Sequence, residues 1–306
     1  MAFLCAPCDI FVVAITSAAV SDIIASEDDF GHEMRVGRVL RGYMTSRTLH
    51  GGTYSDSVSN KARQFDFRWL FQHNETVLSV AVECKNVSSA TALVLCGCKR
   101  TNKEAFHDLV ESRKGGRFQT PRGPAFFDVA SAGAVRVVSG NESIYAPGAF
   151  VGKSLVQIRE IRNGKYEGLK DKEIYEKWSQ ALASGVDLVR NARRYAANFD
   201  FPHVFTVLLP VVVVPNDVLW RVEYDVNGRT VGDPVKTDEC EFYVAREVWS
   251  APELGDSTEP YTFSHLHFLT LKGFALFLLK ITGDEDWRKL AFDEQTIAAS
   301  RAERLA

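Results

Sequence analysis

Residues 77–85 read Val77-Leu-Ser-Val-Ala-Val-Glu-Cys-Lys85, an apolar run that closes on a carboxylate, a thiol and an ammonium. Strand-forming residues follow an Asn-containing turn, which predicts a β-strand. Successive strand side chains alternate faces, so Glu83 and Lys85 project together while Val82 and Cys84 enter the opposite layer. Burying ions in such a setting costs several kcal/mol each unless a partner or a metal compensates. The preceding segment, Gln64-Phe-Asp-Phe-Arg-Trp-Leu-Phe71, predicts an adjacent strand of the same sheet and supplies a second carboxylate, Asp66.

On either side of this pair the pattern alternates between helix and strand periods. Ser26-Glu-Asp-Asp29 resembles an N-cap with acidic residues in the first turn, and Phe30, Met34 and Gly37 follow at helical spacing, predicting a helix near 27–41. Residues 171–195 give the clearest helix: Ile174, Trp178, Leu182, Gly185, Val189 and Ala192 form one stripe, opposite Lys177, Gln180, Ser184, Asp187 and Asn191. Val204–Val214 is a nearly continuous apolar run, as in a strand covered on both faces, with Pro210 implying a bulge or an edge. Segments 219–224 and 241–248 suggest a hairpin-like β extension, 102–112 a short helix followed by a Gly-rich surface excursion to Arg122, and 263–281 a buried C-terminal helix.

The order of elements predicts one α/β domain with a central mixed β-sheet flanked by helices, plus β and C-terminal helical additions. Residues 1–26 form an N-terminal apolar segment expected to pack, 27–250 the main domain with an insertion at about 86–170, and 251–306 a helical extension on the same domain.

Composition narrows the function class. In 306 residues, 46% are hydrophobic and 25% charged, with a net charge of −3, so the chain is neither a disordered polyelectrolyte nor a polycation that coats nucleic acid indiscriminately. Six cysteines are too few for a disulfide scaffold, and all are read as thiols, mostly buried; a cytoplasmic setting fits them. Cys5 and Cys8 have redox or zinc-pair spacing without the flanking elements either needs. The apolar stretch 11–19 lacks a preceding basic residue and is too short to span a membrane, and His265, His267 and Lys272 argue against a span in 263–281.

For 39 acidic residues and 14 lysines in this length, chance gives about 1.8 acid-x-Lys triplets, so context must carry the reading. Glu83-Cys84-Lys85 is the only such triplet in the chain, it closes a predicted strand, and Arg63-Gln-Phe-Asp66 opens the strand before. In this arrangement the chain resembles the PD-(D/E)xK, or restriction-endonuclease-like, nuclease superfamily, with Phe65 where the written pattern has Pro. The resemblance covers about residues 27–215 and implies a restriction-endonuclease-like core and a metal-dependent nuclease acting on nucleic acid, with DNA the favoured substrate and RNA left open. It further implies Asp66 and Glu83 as ligands of Mg²⁺ or Mn²⁺, the Cys84 carbonyl as a third, and Lys85 as the group that orients or activates the attacking water. Mg²⁺ suits such a site because it takes hard carboxylate oxygens and keeps waters.

Relatives often place a Gln or Lys of the long helix near the scissile phosphate, which brings in Gln180 and Lys177. Glu33 could be an extra ligand, although a solvated helix glutamate is the simpler reading, and His107 is read as a packed or capping histidine. Residues 99–122 carry a local net charge of +4, a candidate phosphate-tracking surface. Pro147-Gly-Ala-Phe-Val-Gly152-Lys153-Ser154 resembles a nucleotide-triphosphatase phosphate loop, but proline replaces its first glycine and removes a donor. The contrasting reading is a nuclease-like nucleic-acid-binding or scaffolding protein with a structural ion pair at this position. A homodimer, which would pair two sites, is left open by the sequence, and no membrane partner is expected.

Overall fold

The computed structural model describes residues 15–43, 46–56, 60–113, 117–120, 123–126, 131–138, 143–162, 164–169, 172–196, 203–248 and 260–303. In chain order these form α1 (Ser17–Glu27), α2 (Asp29–Arg41), β1 (Ser46–His50), β2 (Thr53–Asp56), β3 (Lys61–Gln64), β4 (Phe67–His73), β5 (Thr76–Cys84), β6 (Thr91–Lys99), β7 (Phe106–Arg113), β8 (Arg117–Thr120) and β9 (Gly123–Phe126). They continue as β10 (Ser131–Val138), β11 (Phe150–Arg162), β12 (Lys165–Leu169), α3 (Lys172–Ala196), β13 (His203–Val214), β14 (Leu219–Glu223), β15 (Val235–Lys236), β16 (Glu239–Val248), β17 (Tyr261–Thr270), α4 (Leu271–Gly283), α5 (Glu285–Ala291) and α6 (Glu294–Glu303).

The architecture is α/β, built on a large mixed sheet flanked by helices. Its main path runs β1-β4-β5-β13-β17-β16-β11-β6-β14-β15, with β7, β10 and β12 joined alongside. At the centre β5, β13 and β17 are parallel, and antiparallel neighbours β4 and β16 flank them. Parallel strands need covered faces, and these have them. Val80, Val82 and Cys84 of β5 and Val211 and Val213 of β13 pack in one core with Val36 and Leu40 of α2 and Phe274 and Phe277 of α4. The alternate residues Ala81, Leu208, Val212 and Val214 belong to cores that include Ala181, Leu182 and Val186 of α3. α3 therefore covers one face of the central strands, and α2 and α4 the other.

Several sequence expectations are corrected. Residues 106–113 are a strand, not part of a helix: β7 pairs with both β10 and β13, and His107 is buried on it. The first half of the expected C-terminal helix is β17, buried along its whole length, and the helix begins where the Thr270 hydroxyl accepts from the Gly273 amide. Its run of aromatic and Thr residues suits a strand between two neighbours better than a helix stripe.

Pro210 marks neither an edge nor a bulge. On that side of β13, pairing with β7 ends at Val207 and pairing with β17 starts at Val211, so the missing N–H falls where one neighbour hands over to the other. The β14 and β16 segments are not one hairpin either: β14 joins β6 and β15, while β16 joins β17. Of the segment expected as an insertion, β6, β7, β10 and β11 pair into the main sheet.

The α2 cap is Asp28, whose carboxylate accepts from Phe30 and Gly31, and a separate α1 precedes it with Val20, Ile23 and Ile24 exposed rather than packed. Residues 1–14, including Cys5 and Cys8, and parts of the Gly-rich 113–122 stretch lie outside the described residues. The four described cysteines are free thiols; Cys84 and Cys240 are buried and Cys96 and Cys98 half-buried. Among the described residues no helix is long and apolar enough to cross a membrane.

The polar stripe of α3 faces the sheet instead of solvent. Arg68 of β4 is buried and donates to the Ser184 hydroxyl and carbonyl, sits 2.8 Å from the Asp187 carboxylate, and lies over the Phe65 ring at 4.2 Å. Gly185 allows the approach: a Cβ there would meet the Phe263 ring at 2.8 Å. These contacts fix the rotation of α3 about its axis, and with it the position of Lys177 two turns earlier. Asp187→Ala strands a buried guanidinium and should cost about 3 kcal/mol in denaturant unfolding. Combining it with Arg68→Met should cost less than the sum of the two single changes, since the charge left unpaired is then gone.

Candidate active site

The site forms at the carboxyl end of β5, where open α/β sheets generally present ligand-binding groups. β4 and β5 pair antiparallel with Phe67 opposite Val82. Continuing that register by one residue sets Asp66 opposite Glu83, on the face that carries Arg68 and Ala81 toward α3. Asp66 stands in the break between β3 and β4, where its carbonyl accepts from the Gly51 amide at 3.1 Å and its carboxylate from the Cys84 amide at 2.6 Å. The two predicted carboxylates thus converge because strand register forces them to.

Glu83 is the unusual member. Its side chain is fully buried, and neither carboxylate oxygen has a hydrogen-bond partner. Burial and then the Asp66 carboxylate push it well above the usual carboxylate range, with Lys177 opposing. Lys177 of α3 holds its ammonium 3.5 Å from Asp66, 3.9 Å from Glu83 and 3.9 Å from Asp29. Burial works to depress this ammonium, but Asp66, Glu83 and Asp29 together keep it above the ordinary lysine range.

Lys85 completes the cluster from just beyond β5. Its amide donates to the Val213 carbonyl at 2.9 Å, extending the β5–β13 ladder by one rung, and its ammonium lies 3.7 Å from Asp29. Asp29, in the first turn of α2, also accepts from the Asn86 amide at 2.7 Å, and the Asp28 carbonyl accepts from the Asn86 side chain. The start of α2 is thereby clamped onto the chain leaving the triplet. His32, one turn on, is buried with Nε2 3.1 Å from the Val213 carbonyl and Nδ1 without a hydrogen bond; burial depresses its pKa.

The structure therefore brings together Asp66, Glu83 and Lys85 and adds Lys177 and Asp29. Gln180 does not join them. It lines a separate cleft with Asp56, Arg63, Glu176 and Arg246, and its carbonyl accepts from Tyr54. The Cys84 thiol is buried in the α2-side core, so only its main chain faces the site. Glu33 is hydrogen-bonded to His50, whose ring stacks on Phe67, and is neither a solvated glutamate nor a member of the Lys177 cluster.

Asp29 was legible in the sequence only as a helix-start acid, and nothing in its spacing connects it to residue 85. The candidate basic surface loses Arg100, which is buried and bonded to Glu241, His265 and the Ala146 carbonyl. Residues 150–162 are a strand where a phosphate loop needs a helix, and Lys153 is taken by Glu104 and the Tyr243 ring.

A buried carboxylate without hydrogen bonds and with a raised pKa destabilises the fold wherever it must ionise. The folded state holds the Glu83 proton more tightly than the unfolded chain, whose value is near 4.5, so stability falls as pH rises from there toward the raised folded value. In EDTA, Glu83→Gln should be more stable than the wild type by about 1–3 kcal/mol at pH 8, with the difference vanishing near pH 4. Thermal melts across that range check it; equal melting temperatures at pH 8 would remove the burial argument. A scan against protein-family models and searches of curated proteins and of solved structures found no match to this chain.

Proposed function

We propose that this protein is a metal-dependent nuclease that hydrolyses phosphodiester bonds in nucleic acid, with DNA as the preferred substrate. The observation that carries the reading is Glu83: a fully buried carboxylate, neither oxygen hydrogen-bonded, facing a second carboxylate at the mouth of a parallel-strand core. A buried anion of this kind calls for a cation, and hard oxygen donors at a strand end suit Mg²⁺ or Mn²⁺. Asp66 and Glu83 would hold the ion, with the Cys84 carbonyl at the same strand end as the third donor.

When bound, such an ion supplies charge that polarises a phosphoryl oxygen and lowers the pKa of an attacking water. The chain's own groups do the rest. Lys85, tethered to Asp29 and to the Val213 carbonyl, presents an ammonium that can orient that water or meet a phosphate oxygen. Lys177 offers a second cation on the same side, held charged by its carboxylate neighbours, to counter negative charge building on the phosphate. The Cys84 amide fixes one Asp66 oxygen, which pins the carboxylate's orientation before any substrate arrives.

A scaffolding or nucleic-acid-binding role without catalysis is favoured by one observation: the Lys177 ammonium lies within 4 Å of Asp29, Asp66 and Glu83 and the Lys85 ammonium within 4 Å of Asp29, so with Glu83 protonated the two lysines balance the two remaining carboxylates without a metal. Cleavage separates the two readings. Purified protein with Mg²⁺ or Mn²⁺ should nick or linearise supercoiled plasmid, and EDTA should stop it. Asp66→Asn, Glu83→Gln and Lys85→Ala should each lower the rate by roughly 10²-fold or more with the fold intact by circular dichroism. No cleavage of plasmid, single-stranded DNA or RNA, with no Mn²⁺ heat in calorimetry, would leave the scaffold.

A further inference from the structure

On β17 and β16, two and three strands across the sheet from β5, the fold assembles a second group of potential ligands. Glu241 of β16 stands directly opposite His267 of β17, and Glu239, two residues before Glu241, shares its face. His267 is also aligned with Val211 and Val82, the row next to the one holding Glu83, Val212 and Phe268. The trio therefore projects to the α2 and α4 face, opposite to Glu83. Potential donor atoms of Glu239, Glu241 and His267 all lie within 4.8 Å of one another.

The imidazole is the telling member. His267 is buried, and its Nδ1 has no hydrogen-bond partner although it points toward Glu239, whose carboxylate lies 4.0 Å away. The other nitrogen, Nε2, shares a 2.9 Å hydrogen bond with the Tyr145 hydroxyl. With the proton on Nε2 the ring donates to Tyr145 and leaves the Nδ1 lone pair free toward Glu239. Burial, assisted by Arg100 and Lys280, pushes the ring down to about 3, so it is a neutral ligand at neutral pH.

A closed ion cluster would account for Glu241, which Arg100 engages, but would not leave a buried Nδ1 empty beside a carboxylate. Metal-bound histidines typically anchor their second nitrogen on a partner as Tyr145 does here. The Glu239 side chain is 40% exposed, which gives an ion a way in and gives one ligand freedom to move.

We propose that Glu239, Glu241 and His267 form a site for a divalent transition-metal ion, of the zinc class. One imidazole and two carboxylates suit that class better than Mg²⁺, which seldom takes nitrogen. Tetrahedral ligands about 2.1 Å from zinc stand roughly 3.4 Å apart, so the side chains close by about 1 Å on binding. The bound ion ties β16 to β17 and thereby stabilises the fold.

The test titrates Co²⁺ and Zn²⁺ into metal-stripped full-length protein, reading calorimetric heat, the Co²⁺ visible spectrum and the melting temperature. Wild type and Glu83→Gln should both bind one ion at this site, with a Co²⁺ d–d band and a rise in melting temperature on adding Zn²⁺. Glu239→Gln, at a partly exposed position, should fold normally yet lose at least tenfold in Zn²⁺ affinity, and His267→Gln should abolish the Co²⁺ band. An unchanged Co²⁺ band and Zn²⁺ affinity in folded Glu239→Gln, or no Zn²⁺ binding in Glu83→Gln, would overturn the proposal. Because Glu83→Gln silences only the nuclease site, the outcome here is independent of whether cleavage is seen.

Discussion

A carboxylate with no hydrogen-bond partner and no exposed surface is the constraint around which this molecule is arranged. Glu83 sits where β5 ends, between a sheet face and a helix, and folding must compensate its desolvation. Every nearby element contributes to that compensation or bears its consequences. β4 supplies Asp66 through register, α3 supplies Lys177 through a rotation fixed by Arg68, and α2 supplies Asp29 through its clamp on Asn86. Removing any one of these leaves charge in a low-dielectric setting, so the site and the local fold are not separable.

The central parallel strands make this arrangement feasible. Their apolar residues alternate between two cores, one under α3 and one under α2 and α4, and on β5 the ionic residue Glu83 comes only in the last turn of the pleat before the strand ends. Two groups of ionisable side chains matter for function. One gathers at the carboxyl end of β5, and the other lies on β16 and β17, on the opposite face, where Glu239 reaches the surface.

Where sequence and structure part, the reason is tertiary. Phe106–Arg113 reads as a short helix because its apolar residues do not alternate cleanly, yet it lies between β10 and β13, where ladder hydrogen bonds outweigh local preference. Tyr261–Thr270 reads as helix because it runs unbroken into a true helix, and a strand buried on both faces has no polar period to betray it. Gln180 and Lys177 share one helix stripe; only the packing of Arg68 against Ser184 and Asp187 decides that Lys177 meets the carboxylates and Gln180 does not.

The sequence by itself determined the strand ending in Glu83-Cys84-Lys85, the pairing that brings Asp66 alongside, the long amphipathic helix and the α/β class. These follow from periodicity, which is local: two-residue alternation assigns a face, and 3.6-residue repetition assigns a stripe. Only the tertiary structure decided which helix end reaches the site, that Asp29 and Lys177 belong to it, and that Glu239, Glu241 and His267 meet across β16 and β17. Those contacts join residues up to 148 positions apart, as Asp29 and Lys177 show, and no local period encodes them.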